Sequence, residues 1–395
     1  MSAEMNDFSY RVRRRAVLSM AGVSLGLGLG SAAAETRVLR VGPGQAVKTL
    51  ADAARVARDD TLIEVDAGDY VGDVATWRQN GLTLRAVGGR VRLIAAGTSA
   101  QGKGIFVTTG ERLRIEGFDF LGCRVPDGNG AGVRLEQGSL SLVDCAFKDN
   151  ENGLLSGNDG KARLEIENCD FGTIVRQQGQ THNLYVGKIA YLKVTGSYFH
   201  DGRMGHLLKS RAAVNHIFYN RLTDEIGGEA SYELEFPNGG QCLVVGNLIQ
   251  QSSTTQNPVI ISFGAEGYAA GAPQELQLVN NTIVDQLPRG GTYLRAAPTP
   301  GMHMRLVNNL LAGNPYFAAS SEWEQQGNHV VDWDAFVLAV RGDYRLRANS
   351  PLRGKAVDPG EADGLSLRQV RQYRHPHTTV ALAGPASDPG AIQLA

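Results

Sequence analysis

Proline is scarce, at 14 of 395 residues, and no Gly-X-Y period accompanies it, which excludes a collagen-like chain. An excess of charge of either sign is also lacking: 39 Lys and Arg face 40 Asp and Glu, for a formal net charge of −1. Nucleic-acid binding would call for a basic excess or stripe, so nucleic acid is not expected among the partners. The four cysteines, Cys123, Cys145, Cys169 and Cys242, form no C-x-x-C pair, which leaves zinc ribbons and thioredoxin-like motifs unsupported. Beyond residue 34 no apolar run reaches the length of a membrane span. Glycine is what abounds: 49 residues, about 12% of the chain against a usual ~7%. With 42% hydrophobic and 20% charged residues, the composition predicts a folded chain rich in tight turns, not a long helical bundle.

Residues 1–34 read as an export signal. Arg13-Arg14-Arg15 precedes a short apolar stretch from Ala16 to Leu29, and Ser31-Ala32-Ala33-Ala34 closes it with an A-x-A site. Arg14-Arg15-Ala16-Val17-Leu18 resembles a twin-arginine signal, with an ordinary Sec signal as the alternative. Removing the segment leaves a formal charge of −3 and no expected membrane span, so a periplasmic or secreted protein is predicted.

The remainder repeats itself. Short alternating runs recur, each closing on the same phrase: Leu113–Phe120 (LRIEGFDF), Leu140–Phe147 (LSLVDCAF), Leu164–Phe171 (LEIENCDF) and Leu192–Phe199 (LKVTGSYF). Later copies end at Leu222, Ile249, Ile283 and Leu311, at intervals of 23 to 34 residues. Strands this short, separated by Gly and Asn turns, fit one coil of a parallel β-solenoid per repeat. Two residues before each closing apolar residue stands a second column: Phe118, Cys145, Cys169, Ser197, Asn220, Asn247, Asn281 and Asn309. Its four successive Asn predict an asparagine ladder whose members take a left-handed turn conformation, with the closing Phe residues stacked inside. Cys145 and Cys169 share that column on adjacent coils. A bridge is geometrically conceivable, and two reduced core cysteines are the simpler reading. Asp149, Asp201, Asp224 and Asp285 follow the closing residue by two and read as turn caps, and His200 and His216 flank turns as structural residues.

On three segments the chain resembles the right-handed parallel β-helix proteins of the pectate-lyase-like superfamily. These are the entry from Val41-Gly42-Pro43-Gly44 to Gly68-Asp69-Tyr70, the repeats, and the exit through Asp343-Tyr344-Arg345-Leu346 to Asp388-Pro389-Gly390. The resemblance implies an all-β, single-stranded right-handed β-helix over residues 35–315 with an N-terminal cap. An irregular segment, 316–395, would finish it. It also implies a carbohydrate-active protein whose partner is a polysaccharide or oligosaccharide.

Polar chemistry concentrates in three phrases, His182-Asn183-Leu184-Tyr185, His206-Leu207-Leu208-Lys209-Ser210-Arg211 and Tyr232-Glu233-Leu234-Glu235-Phe236-Pro237-Asn238. Counting back 15 residues from Phe199, Leu222 and Ile249 aligns Leu184, Leu207 and Leu234, which should point inward. Asn183, His206 and Glu233 would then stack on the outer face, with Tyr185, Leu208 and Glu235 beside them. Lys209 and Arg211 have inward parity in this alignment. Burying them would be costly, so the strand is expected to end at Leu208 and release both to the patch edge. His182, Asn183, Tyr185 and Asn238 are the expected sugar-binding residues.

Cations beside carboxylates suit β-elimination of a uronate polymer. Neutralising the sugar carboxylate acidifies the C5 proton, a base removes it, and an acid protonates the leaving oxygen. Lys209 or His206 is the expected base, Arg211 neutralises charge, and Glu233 and Glu235 complete the catalytic set. Lys209-Ser210 resembles the Lys-Ser phrase of β-helix lyases acting on alginate and chondroitin. That resemblance implies a calcium ion held by Asn183, Glu233 and Glu235. In those enzymes a carboxylate precedes the Lys on its own strand, where this chain has His206. Hydrolysis is the competing enzyme reading. Glu233 and Glu235, two residues apart on a strand, would lie about 6.5–7 Å apart at Cα, near the ~6.5–9.5 Å of inverting glycosidases. A non-catalytic carbohydrate-binding or envelope protein is the third.

Overall fold

The computed structural model describes residues 37–175, 181–314, 316 and 322–394. The predicted export signal lies outside them. Strand after strand pairs in parallel with its counterpart one coil on, which gives a 21-stranded sheet and a separate nine-stranded sheet around one core. This is the expected right-handed parallel β-helix. Parallel strands need coverage on both faces, and here the two sheets cover each other's inner faces.

The closing column holds throughout. Phe120, Phe147, Phe171, Phe199, Leu222, Ile249, Ile283 and Leu311 are register partners in successive coils. The four Phe rings stack at centroid spacings of 5.0, 4.5 and 4.7 Å, nearly parallel. Coil spacing imposes this geometry, because rings repeated at about 4.8 Å have room for little else.

Beside this stack runs the asparagine ladder. The Asn247 amide oxygen accepts from both the backbone N–H and the side-chain amide of Asn220, at 2.9 and 3.0 Å. Asn281 and Asn309 repeat the pattern, and Asn328 extends it by one rung that the sequence pattern had not included. The left-handed conformation falls one residue earlier than expected, on Asn168, Gly196, Tyr219, Gly246, Asn280 and Asn308. That residue makes the bend, and the ladder residue after it is left free to point inward. Earlier in the same column Cys145 and Cys169 are reduced and buried, with the Cys145 N–H directed at the Cys169 sulfur, so no bridge forms.

At the N-terminus the strand Arg37–Val41 pairs with Thr61–Val71, and the helix Leu50–Val56 lies over the open end of the core. Thr49 caps that helix by accepting from Asp52, and the Asp73 carboxylate takes the N–H groups of Leu50 and Ala51. At the other end parallel pairing continues past residue 315, through Glu324–Gln326 and His329–Val331. The rest of the C-terminal segment packs on the flank of the larger sheet. Phe336, Tyr344 and Leu346 pack against Leu248, Val284 and Leu310, and Leu367 against Leu243 and Val279. Among the described residues no helix is long and apolar enough to cross a membrane.

Candidate functional site

The polar phrases meet on the nine-stranded sheet, in the short strands Leu184–Val186, Leu208–Ser210 and Leu234–Phe236. Their register differs by one residue from the expected one. Leu184, Leu208 and Leu234 share the inward column, so Tyr185, Lys209 and Glu235 share the outward one. The cause is a shortened turn. Three residues, 211–213, separate Ser210 from the next strand, where the preceding coil has four between Val186 and Tyr191. Counting back from Leu222 therefore overshoots by one. Leu208 is a core residue, and Lys209 reaches the outer face by simple alternation, with no early strand end.

Two expected site residues are not on that face. Asn183 and Glu233 sit in the bends just before their strands, in one column with Leu207, and all three are fully buried. Alternation fails there because a bend residue does not follow the pleat. Asn183 donates its amide to the carbonyls of Phe171 and His200. Neither carboxyl oxygen of Glu233 has a hydrogen-bond partner among the described residues. Burial, with repulsion from Asp224 and Asp285, drives this carboxyl far above the ordinary range, so it is held protonated.

The expected calcium set therefore does not come together. Asn183 and Glu233 lie two coils apart and face inward, and Glu235 is held by Lys209. Among the described residues no group of three His, Cys, Asp or Glu is spaced to hold a metal ion. The same burial removes Glu233 from any hydrolytic pair with Glu235.

The residues that do come together form one connected network. The Lys209 ammonium lies 3.0 Å from Glu235 Oε2 and 2.9 Å from Glu266 Oε1. Arg211 reaches the other oxygen of Glu266 at 2.7 Å, donates to the Tyr185 hydroxyl at 3.0 Å and to Asn238 Oδ1 at 2.6 Å. Asn238 in turn donates to the carbonyl of Gly267, which fixes the loop that carries Glu266. Beside them His182, His206 and Tyr232 form a second outer column. The two imidazoles stack at 4.7 Å, and Tyr232 tilts over His206 at 4.9 Å. The His206 N–H of the backbone donates to His182 Nδ1, which fixes that nitrogen as an acceptor.

Electrostatics separates these groups. Burial first, then Lys209 and Arg211, holds His182 down to about 3. Burial, His182 and the same cations hold His206 well below its usual value, so both rings are neutral. Glu235 is raised by burial despite Lys209. Glu266 is lowered: burial opposes, but its bonds to Lys209 and Arg211 outweigh it.

The outward column runs on in both directions, from Arg134 and Leu155 through Tyr185, Lys209 and Glu235 to Ser262 and Arg295. At one coil per step the column runs about 29 Å, with Ser262 fully buried along it. Next to Tyr185 it deepens into a cavity of about 380 Å³ lined by Arg134, Ser156, Asn158 and His182. Arg295 donates to the Tyr232 hydroxyl at the far end. Glu266, Tyr232 and Arg295 were missed as site residues. Glu266 stands in the Gly264–Tyr268 loop of the longest coil, away from the three polar phrases. The expected structural residues are structural: His200 sits between Asp170 and Asp201 at 2.9 and 2.7 Å, and His216 contacts the Tyr191 hydroxyl. Asp224 and Asp285 cap turns by accepting backbone N–H groups.

No family model and no curated protein matches this sequence. Among solved structures, the pectate lyase Pel9A is similar over 90% of this chain and 96% of its own, with a TM-score of 0.59 and 13% identity. The fold is the pectate-lyase-like β-helix. An alginate lyase from Paenibacillus sp. str. FPU-7 matches 75% of this chain and 100% of its own, with a TM-score of 0.41 and 12% identity. A pectin methylesterase from Aspergillus niger matches 75% and 91%, with a TM-score of 0.39 and 12% identity. At these identities the likeness is one of fold, and the site has to be argued from its own residues.

Proposed function

We propose that the groove binds an acidic, uronate-containing polysaccharide and cleaves it by β-elimination, outside the cytoplasm. One observation carries the reading: the Glu266 carboxylate is held between Lys209 and Arg211, one oxygen to each. Two cations that share one carboxylate at the floor of a long groove make a seat of the size and charge of a uronate carboxylate. Charge-assisted bonds of this kind are about twice as strong as neutral ones.

In this reading the substrate carboxylate replaces that of Glu266. Arg211 neutralises it, which acidifies the C5 proton. Displacing Glu266 takes one carboxylate away from Lys209, which gives a proton to solvent and, as the free amine, accepts the C5 proton as the C4–oxygen bond breaks and the C4–C5 double bond forms. Glu235, 3.0 Å behind it, stabilises the ammonium. The Tyr185 hydroxyl oxygen already accepts from Arg211, so its proton is free to face the groove and pass to the leaving oxygen. His206 is assigned to the wall instead of the proton transfer, because its Nδ1 is buried. With His182 and Tyr232 it offers an uncharged stack for sugar rings. The test is the ultraviolet absorbance of unsaturated uronate product from a panel of uronate polymers, compared between the wild type and Lys209→Ala.

A second reading has its own support. Glu235 is raised and Glu266 lowered around one lysine, the pattern of an acid paired with an ionised partner in hydrolysis. New reducing ends without unsaturated product, lost in Glu235→Gln, would favour it. Binding with neither product would favour a non-catalytic carbohydrate-binding protein.

A further inference from the structure

On the larger sheet, away from the groove strands, the C-terminal segment closes a second cleft of about 550 Å³ against the solenoid. That volume lies within the about 300–1,000 Å³ of small-ligand sites. Its solenoid wall is one register column, Tyr198, Arg221 and Leu248, in three successive coils. Its other wall comes from the C-terminal segment: Arg341, Tyr344, Tyr373 and His375. The hairpin of Arg371–Arg374 and Thr378–Ala381 is pinned to the solenoid by His377, whose Nδ1 meets the Asn168 carbonyl at 2.9 Å. His375 then stands edge-on to Tyr198 at 5.2 Å. The His375-Pro376-His377 phrase thus builds a wall; among the described residues it joins no metal-holding group.

Charge in this cleft is nearly but not fully balanced. Glu225 Oε1 is taken by Tyr198 at 2.8 Å, by Arg221 at 3.1 Å and by Thr223. Arg345 is held by both oxygens of Asp343. Arg341 lines the same cleft, is exposed, and has no hydrogen-bond or ion-pair partner among the described residues. One unpaired guanidinium over a floor of rings and satisfied polar groups calls for a ligand with one carboxylate and an apolar ring face. A pyranose uronate has both: its axial C–H face packs on aromatic rings, and its carboxylate meets Arg341 in a fork.

We infer that this cleft is a second, non-catalytic binding site for a uronate unit, with Arg341 as its anion ligand and the exposed His375 ring as its wall. Choosing a uronate rests on the reading of the groove above; the cleft and its exposed Arg341 do not. A site here would hold the polymer on the flank while the groove acts on another stretch, raising the local substrate concentration.

The test is calorimetric titration of the mature chain with galacturonate and mannuronate trisaccharides, for the wild type, Lys209→Ala, Arg341→Ala and Arg341→Glu. The wild type is expected to show two sites. Arg341→Ala should weaken one by at least about 10-fold, the loss of a charged hydrogen bond, and Arg341→Glu should abolish it. Both variants should keep wild-type turnover of a trisaccharide and lose rate on long polymer. Unchanged binding in both Arg341 variants overturns the second site, as does no binding to the wild type. If Arg341→Glu removes one site while no polymer yields unsaturated product, the second site stands and the elimination reading falls.

Discussion

Lys209 and Glu266 are 57 positions apart in the chain and 2.9 Å apart in the fold. The contact exists because the longest coil, between Ile249 and Ile283, throws out a loop that turns back over the groove. Gly264 and Gly267 both take positive φ there, and the Glu266 N–H bonds the Pro237 carbonyl. A carboxylate from the chain itself fills the place assigned to the substrate's.

Replacing Glu266 should therefore tighten binding. Glu266→Ala is expected to lower KM for short uronates several-fold, because the competing carboxylate is gone and both cations are free. The salt dependence of KM should steepen. A raised KM in this variant would make Glu266 a substrate ligand instead of a stand-in.

Arg211→Ala should cost about 10²–10³ in kcat, the usual loss when one donor to a developing anion is removed. The effect should shrink on a polymer whose carboxyl groups are methyl-esterified, where the C5 proton stays acidic but no charge is left to neutralise. Kinetics on the native and the esterified polymer side by side check this. Equal losses on both would place Arg211 in the scaffold.

Above about pH 6.5, where the buried neutral His182 and His206 no longer favour the unfolded chain, stability should fall as pH rises, for three reasons of the same sign. Burial drives Glu233 well above the carboxylate range, and burial pushes Asp224 up to about 7 against its bonds from Ala230 and Gly202. A carboxyl with a raised folded pKa carries no penalty below its unfolded value of about 4, and an increasing one from there up to the folded value. Despite burial, Asp170 and Asp201 raise His200 to about 9. Its stabilisation is whole below the unfolded value of about 6.5 and is lost by about 9. Melting temperatures from about pH 6.5 to about pH 9 should decline, and Glu233→Gln should be more stable than the wild type at the alkaline end and equal near about pH 4. His200→Gln should lose stability mainly at the acidic end. A flat wild-type profile contradicts this account.

The ladder should be most sensitive in its middle. Asn247→Ala strands the Asn220 N–H and the Ile217 carbonyl inside the core, at about 1–3 kcal/mol for each orphaned group. Asn328→Ala, at the half-exposed last rung, should cost clearly less. Urea unfolding of the two variants compares them directly.

The solenoid was legible in the sequence because each coil repeats its core residues. Phe147 and Asn247 stand where the spacing put them, since a column in the fold is a period in the chain. The site was legible only in part. Lys209 and Arg211 were found by composition, but one residue missing from the 211–213 turn displaced their register, and turn lengths leave no period to read. Asn183 and Glu233 were lost for another reason: the alternation rule was carried into bends where the backbone is not pleated. Glu266 lay in a loop with no counterpart in neighbouring coils, so nothing in the pattern could place it over Lys209.

The measurement that bears most directly on the central claim is ultraviolet absorbance during incubation of the protein with a panel of uronate polymers, with Lys209→Ala in parallel. The account predicts a steady rise on at least one polymer, from the double bond formed as the C5 proton leaves, and none for the variant. No rise on any polymer, or an equal rise with Lys209→Ala, would contradict it.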